Sequence, residues 1–141
     1  MEFSYSGLDE LVQQLDRLDK DVEGTLNEAL EAGAAAVTDA WQEEARARGH
    51  VDTGDMVNAI RPTRPWKTKS DVRGIAIYPQ GKDRNGIRNA TKAFWINYGT
   101  SPKAKKGIPG DQWVDAANSR AEAPALEAMQ EVFDRIIESL V

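Results

Sequence analysis

The chain contains no cysteine and a single histidine, His50. Without thiols there is no disulfide framework, no thiolate nucleophile and no cysteine-based zinc or iron–sulfur site, so stability has to come from packing. One imidazole also leaves general acid–base chemistry without its commonest agent and excludes paired-histidine metal motifs. His50 stands beside Asp52 in a polar stretch, where a solvated ring is the expectation. No apolar run approaches the roughly 20 residues of a membrane-spanning helix. The opening MEFSYSGLDELVQQ has neither the basic n-region nor the apolar h-region of a secretory signal, so synthesis and retention in cytoplasm are expected. Internal repeats and low-complexity segments are lacking too.

Motifs for chemistry are equally scarce. Gly81 and Gly86 stand at P-loop separation, yet Ile87 and Arg88 occupy the positions that need lysine and then serine or threonine. No serine lies in a G-x-S-x-G elbow. The carboxylate pairs Asp52 with Asp55 and Asp111 with Asp115 read as helix-start charge, favourable at the positive end of the helix dipole. No catalytic, cofactor-binding or metal-ligating residue is therefore expected, and the chain is not expected to be an enzyme.

What is present is ordinary globular material. The 141 residues are 40% hydrophobic and 29% charged, enough for one domain, 1–141, with a buried core. The formal net charge of -5 conceals a segregation along the chain. Residues 1–45 carry 12 acidic and 2 basic side chains, residues 46–106 carry 14 basic and 4 acidic, and residues 107–141 carry 7 acidic and 2 basic.

Changes of hydrophobic period accompany these blocks. Leu8, Leu11, Val12, Leu15 and Leu18 recur at helical spacing after Ser6, a plausible N-cap. Val22, Leu26, Leu30, Gly33, Val37 and Trp41 predict a second helix from Asp21, stopping near Gly49. Its alanine-rich face is long enough to reach a neighbouring subunit. Thr53 is placed to cap a short helix that Pro62 must end. Strands are predicted at 66–69 and 72–78 around Ser70-Asp71, and at 94–98, where Phe94, Ile96 and Tyr98 alternate with Trp95 and Asn97. Between them, residues 79–92 read as a mobile basic loop or an extended hairpin with Asn85-Gly86 at its turn. Asp111 is expected to cap a short helix through Ala117. Pro124 is expected in the first turn of a final helix faced by Leu126, Met129, Phe133, Ile136, Ile137 and Leu140. Clustered strands between helices predict an α+β fold, with long N-terminal helices and a C-terminal helix packed on a small, mainly antiparallel sheet.

The basic middle supplies the candidate contact residues Lys82, Arg84, Arg88, Lys92, Lys103, Lys105 and Lys106, with aromatic side chains interleaved. Two readings stay open. The strand region is a small nucleic-acid-binding module, or it faces acidic helices of its own or a neighbouring copy; a pI near 4.9 favours the second. Of the four tryptophans, Trp41 and Trp95 are expected in the core, and Trp113, after a lysine- and glycine-rich segment, as an anchor for a partner.

Two stretches together resemble the head-tail joining and tail-completion family of long-tailed phages and prophages, the gp10-like tail components of lambdoid siphophages. Residues 50–60, HVDTGDMVNAI, are similar to that family's "v-D-T-G-x-L-x-x-S-I" segment. Residues 93–100, AFWINYGT, are similar to its "Y-x-x-x-x-E-x-G-T" segment, and 108–117 stands where the family shows "P-F-L-x-x-A". Asn97 replaces the usual acidic residue and GDQW replaces the Pro-Phe-Leu core. The resemblance implies structural roles for Asp52, Thr53, Gly54, Ile60, Tyr98, Gly99, Thr100 and Ala117. It also implies a ring, commonly sixfold, at the neck of the virion, with the head connector or stopper and the tail tube or terminator as partners. Passive contact with DNA in the lumen fits the same arrangement. No cofactor and no membrane are implied.

Overall fold

The computed structural model describes residues 5–70, 72–100 and 107–140, with side chains described from 22 to 139 except at position 71 and positions 101–106. Eight elements follow in order: α1 (Tyr5–Ala47), α2 (Asp55–Asn58), β1 (Ile60–Pro62), β2 (Trp66–Lys67), β3 (Arg73–Gly74), β4 (Ile77–Pro79), α3 (Asn89–Tyr98) and α4 (Trp113–Leu140). The class is α+β, with long terminal helices around small antiparallel ribbons.

The two expected N-terminal helices are one. Nothing between Leu18 and Val22 breaks a helix, so Asp21 is an interior residue and α1 runs unbroken for 43 residues, about 65 Å at 1.5 Å per residue. The two expected C-terminal helices also merge, and α4 passes through Pro124. A proline there forfeits one backbone hydrogen bond, but it lies on the exposed face, where water can take up the freed carbonyl.

α1 and α4 form an antiparallel pair with a seam of small side chains: Ala29, Gly33, Ala34 and Ala40 from α1 meet Ala117, Ala121 and Val132 from α4. Small residues let the two backbones approach closely. A Cβ added at Gly33 would lie 2.9 Å from the Met129 sulfur. Register is marked at three levels. Arg135 pairs with Glu28 at 2.6 Å, the Trp41 Nε1–H donates to Asn118 Oδ1 at 2.7 Å, and Arg120 reaches Glu44 at 2.7 Å and Glu43 at 3.3 Å. The exposed Arg135–Glu28 pair adds little energy, whereas Glu44 is buried where Arg120 reaches it. Of the alanine-rich face expected to reach a neighbour, Ala34 and Ala40 are buried, while Ala35 remains exposed. The C-terminal apolar face is divided: Val132 is buried, while Leu126 and Ile137 stay 61% and 58% exposed.

The strands form two short ribbons. β1 pairs antiparallel with β4, Ile60 opposite Pro79, and β2 pairs with β3, Trp66 opposite Gly74. Thr63 joins the ribbons, its N–H donating to the Ala76 carbonyl at 2.8 Å and its hydroxyl accepting the Ala76 N–H at 3.1 Å. Gly74 is required because the Trp66 ring lies where a Cβ would sit, 2.2 Å away.

The strand expected at 94–98 is the second half of helix α3. Two-residue alternation over five positions does not exclude a helix, and the buried positions Asn89, Ala93 and Asn97 recur every four residues. The bulky aromatics that suggested a strand face solvent. The main core lies between the elements: Ala45, Met56, Val57, Ile60, Ala93 and Trp113, with Trp41, Ile77, Ile96 and Val114 packed against it.

Candidate assembly surface

Three separated sequence stretches meet at one junction. In the first, Gly54 adopts φ 87°, the left-handed region that glycine enters without strain, and Thr53 Oγ1 accepts the Asp55 N–H at 3.3 Å. This turn starts α2, which sends Met56 and Val57 into the core and leads to Ile60 at 1% exposure. Asp52 stays exposed on the rim of a cleft of about 450 Å³ that His50, Thr53, Asp55, Lys92 and Ile96 also line.

The second stretch ends α3. Gly99 takes φ 88°, and a Cβ on it would lie 2.7 Å from both the Gly110 nitrogen and the Ile108 oxygen. A Cβ on Gly110 would lie 2.5 Å from the Asn97 oxygen, so both glycines are demanded by a close backbone crossing. Thr100 seals that crossing: its N–H donates to the Ile108 carbonyl at 2.9 Å and its hydroxyl accepts the Ile108 N–H at 2.7 Å. Gly99 and Thr100, expected at the end of a strand, instead end a helix and pair with the strand-like segment before α4.

The third stretch begins α4. Asp111 Oδ1 accepts the Trp113 N–H at 3.1 Å, as a capping residue does, and its Oδ2 meets His50 Nε2 at 2.5 Å. Asn97 is buried, and its Oδ1 accepts the Val114 N–H at 2.9 Å. The one departure from the acidic residue of the resembling segment is thereby explained: the position must supply an acceptor to an α4 N-terminal N–H, which an amide oxygen does as well as a carboxylate. Trp113 is not an anchor for a partner. It is 0% exposed, donates from Nε1 to the Ala93 carbonyl at 3.4 Å and meets Trp41 edge-on at 5.6 Å between ring centroids. The position was misread because the preceding glycines and lysines suggested an exposed segment, whereas the close crossing at Gly99 and Gly110 turns the ring inward. Ala117 is buried one turn further on.

Residues 9–99 match the HK97-gp10-like family, whose description reads "Bacteriophage HK97-gp10, putative tail-component". The chain belongs to the HK97-gp10-like family. The match spans the long helix, the D-T-G turn, the ribbons and α3 up to Gly99. Neither the curated proteins nor the solved structures contain a match to this chain. As an HK97-gp10-like tail component, the protein has a phage virion structural role, and interaction with other virion proteins follows from it.

In this HK97-gp10-like chain the basic region is partly neutralised from within. Of the range 79–92, residues 82–88 form a short hairpin-like turn closed by a single bridge. Lys82 and Arg88 bridge across it, Asp83 Oδ1 accepts the N–H groups of Asn85 and Ile87 at 2.9 and 2.8 Å, and residues 89–92 already belong to α3. Arg84 grips Asp55 with Nε and Nη2, both at 2.9 Å, stapling the hairpin to the D-T-G turn. That guanidinium holds the Asp55 carboxyl well below the usual carboxylate range. Lys92 pairs with Asp83 at 2.6 Å and, with the backbone N–H of Ile87, lowers Asp83 in the same way. Arg73 turns back to Glu23 at 2.7 Å. Of the candidate contact residues, Arg84 and Lys92 are therefore committed internally, whereas Lys82 and Arg88 are exposed and form no ion pair among the described residues. Lys103, Lys105 and Lys106 lie outside the described residues.

Sequence reasoning missed the exposed aromatic face of α3. Phe94 and Tyr98, ring centroids 4.7 Å apart, are 58% and 66% exposed, and Trp95, expected in the core, is 43% exposed. Tyr98 is thus a surface residue. A helical reading of 89–98, placing Asn89, Ala93 and Asn97 inside, would have found this face. Of the carboxylates expected as helix-start charges, Asp55 opens α2, Asp111 caps α4 and Asp115 lies in its first turn, while Asp52 lies in the exposed turn before α2. Among the described residues no three histidine or carboxylate side chains cluster as a metal site requires, and no helix is long and apolar enough to cross a membrane.

Proposed function

We propose that this protein is a tail-completion or head-tail joining component of a long-tailed phage or prophage, acting at the neck as a ring of copies, sixfold symmetry being what its family resemblance implies. The observation that carries the reading is the family match over residues 9–99. The motif residues build a junction of close backbone contacts, and His50, the sole imidazole, is engaged by Asp111. The whole chain, 1–141, acts as one domain in this proposal, with the 79–92 hairpin as a docking element and the head connector or stopper and the tail tube or terminator as its partners.

A label placed on the chain in intact particles tests the location. Gold decoration at the head-proximal end of the tail is the expected image. Decoration along the tube or at the distal tip would overturn the placement while leaving a tail role intact. The nucleic-acid reading is favoured by exposed cations with no ion pair among the described residues, Lys82 and Arg88 with Arg61, Arg64 and Lys69, whereas Arg73, Arg84 and Lys92 are neutralised within the chain. Salt-dependent binding of duplex DNA by the free protein, lost on reversing Lys82 and Arg88, would establish that alternative.

A further inference from the structure

We infer that neighbouring copies join head to tail, the exposed aromatic face of α3 on one copy receiving the outer stripe of α4 on the next. The inference rests on the proposed assembly into a ring and names the two surfaces that would make it.

The receiving face is apolar with a basic rim. Phe94, Trp95 and Tyr98 are exposed along one side of α3, and Ile87 and Ile108 are exposed at its two ends. Lys82 and Arg88 lie in the hairpin that leads into α3, and α3 itself carries no acidic residue. Three exposed aromatics on one short helix form the kind of patch that marks protein contact sites.

The inserted face is apolar with an acidic rim. Leu126 and Ile137 are exposed, with the half-buried Phe133 between them at helical spacing, on the side of α4 turned away from Val132, which faces α1. Glu122, Glu127, Asp134 and Glu138 flank them, all exposed. The lone basic residue of that stretch, Arg135, is already paired with Glu28. Positive rim therefore meets negative rim, which orients the contact and disfavours like faces meeting.

A second copy is the required occupant because the chain cannot satisfy itself. α3 touches α4 at its start, through Asn97 and Val114. Leu126 lies 12 residues beyond Val114 and Ile137 lies 23 beyond, placing them about 18 and 35 Å further along the helix. Two different surfaces set apart along the molecule produce a heterologous contact, which repeats around a ring rather than closing as a two-fold dimer.

The test uses the full chain in three forms: wild type, a receiving-face variant (Trp95→Glu with Tyr98→Glu) and an inserted-face variant (Leu126→Lys with Ile137→Lys). All four positions are exposed, and unchanged circular dichroism and melting would verify the fold. Light scattering across concentration is expected to show rings for wild type. Each variant alone should remain monomeric until a concentration on the order of tenfold higher or more, the loss expected from removing contact anchors. An equimolar mixture of the two variants has one intact interface per pair and should give heterodimers and nothing larger. Rings from either variant, or variants that stay apart when mixed, would overturn the pairing while leaving ring assembly standing. A wild type that stays solitary at every concentration, with tail tube and connector proteins present, would overturn both.

Discussion

Replacing Asn97 by leucine removes an acceptor that the fold places at the start of α4 without removing bulk. Its Oδ1 receives the Val114 N–H at 2.9 Å in a site that is 2% exposed. The side-chain acceptor at a helix start contributes about 1 kcal/mol, and the buried N–H left unpaired costs a further 1–2 kcal/mol or so. A loss of about 2–3 kcal/mol corresponds to a melting temperature about 6–15 °C lower for a domain of this size. Asn97→Asp retains an oxygen at the same place and adds negative charge at the positive end of α4, so it should recover at least half of that loss. Calorimetry of the three proteins at neutral pH supplies the comparison. If Asn97→Leu melted within about 2 °C of wild type, or if Asn97→Asp were the worse of the two, the capping account of this position would be wrong.

Gly99→Ala should destabilise by about 2–4 kcal/mol, since it combines a left-handed backbone with a Cβ 2.7 Å from two backbone atoms; chemical denaturation measures this, and a change under about 1 kcal/mol would contradict the close crossing. Trp113→Ala empties the middle of the core and should cost about 3–5 kcal/mol, with loss of the near-ultraviolet dichroism that a packed tryptophan pair produces. Acid should weaken the hairpin staple. Asp55 and Asp83 titrate lower folded than unfolded, so their pairs contribute fully above the ordinary carboxylate range and are lost as pH falls below it. Arg84→Ala should therefore flatten the fall in melting temperature below about pH 4; an unchanged pH profile would show that the Arg84–Asp55 pair does not form.

Periodicity and composition reached far into this molecule. Apolar residues every three or four positions were enough for helices at both ends, the clustered strand signals for an α+β class, and the D-T-G and G-T stretches for the family. These are local properties, carried by neighbours in the chain. The errors arose where a local signal is degenerate. Asp21 and Pro124 are compatible with a helix start, yet each lies inside a long helix, α1 or α4, and these two pack on each other from opposite ends of the chain. Alternating Phe94, Ile96 and Tyr98 suit a strand as well as a helix, and only burial of Asn89, Ala93 and Asn97 distinguishes them. Which charges are spent within the chain and which remain for partners was likewise not a local matter. Asp55 and Arg84 are 29 residues apart, and Trp113 is interior because Gly99 and Gly110 let two backbones cross. Helix and turn content were thus determined by the sequence itself, while pairing, burial and the exposed aromatic face were decided by tertiary packing, since they depend on which distant groups come into contact.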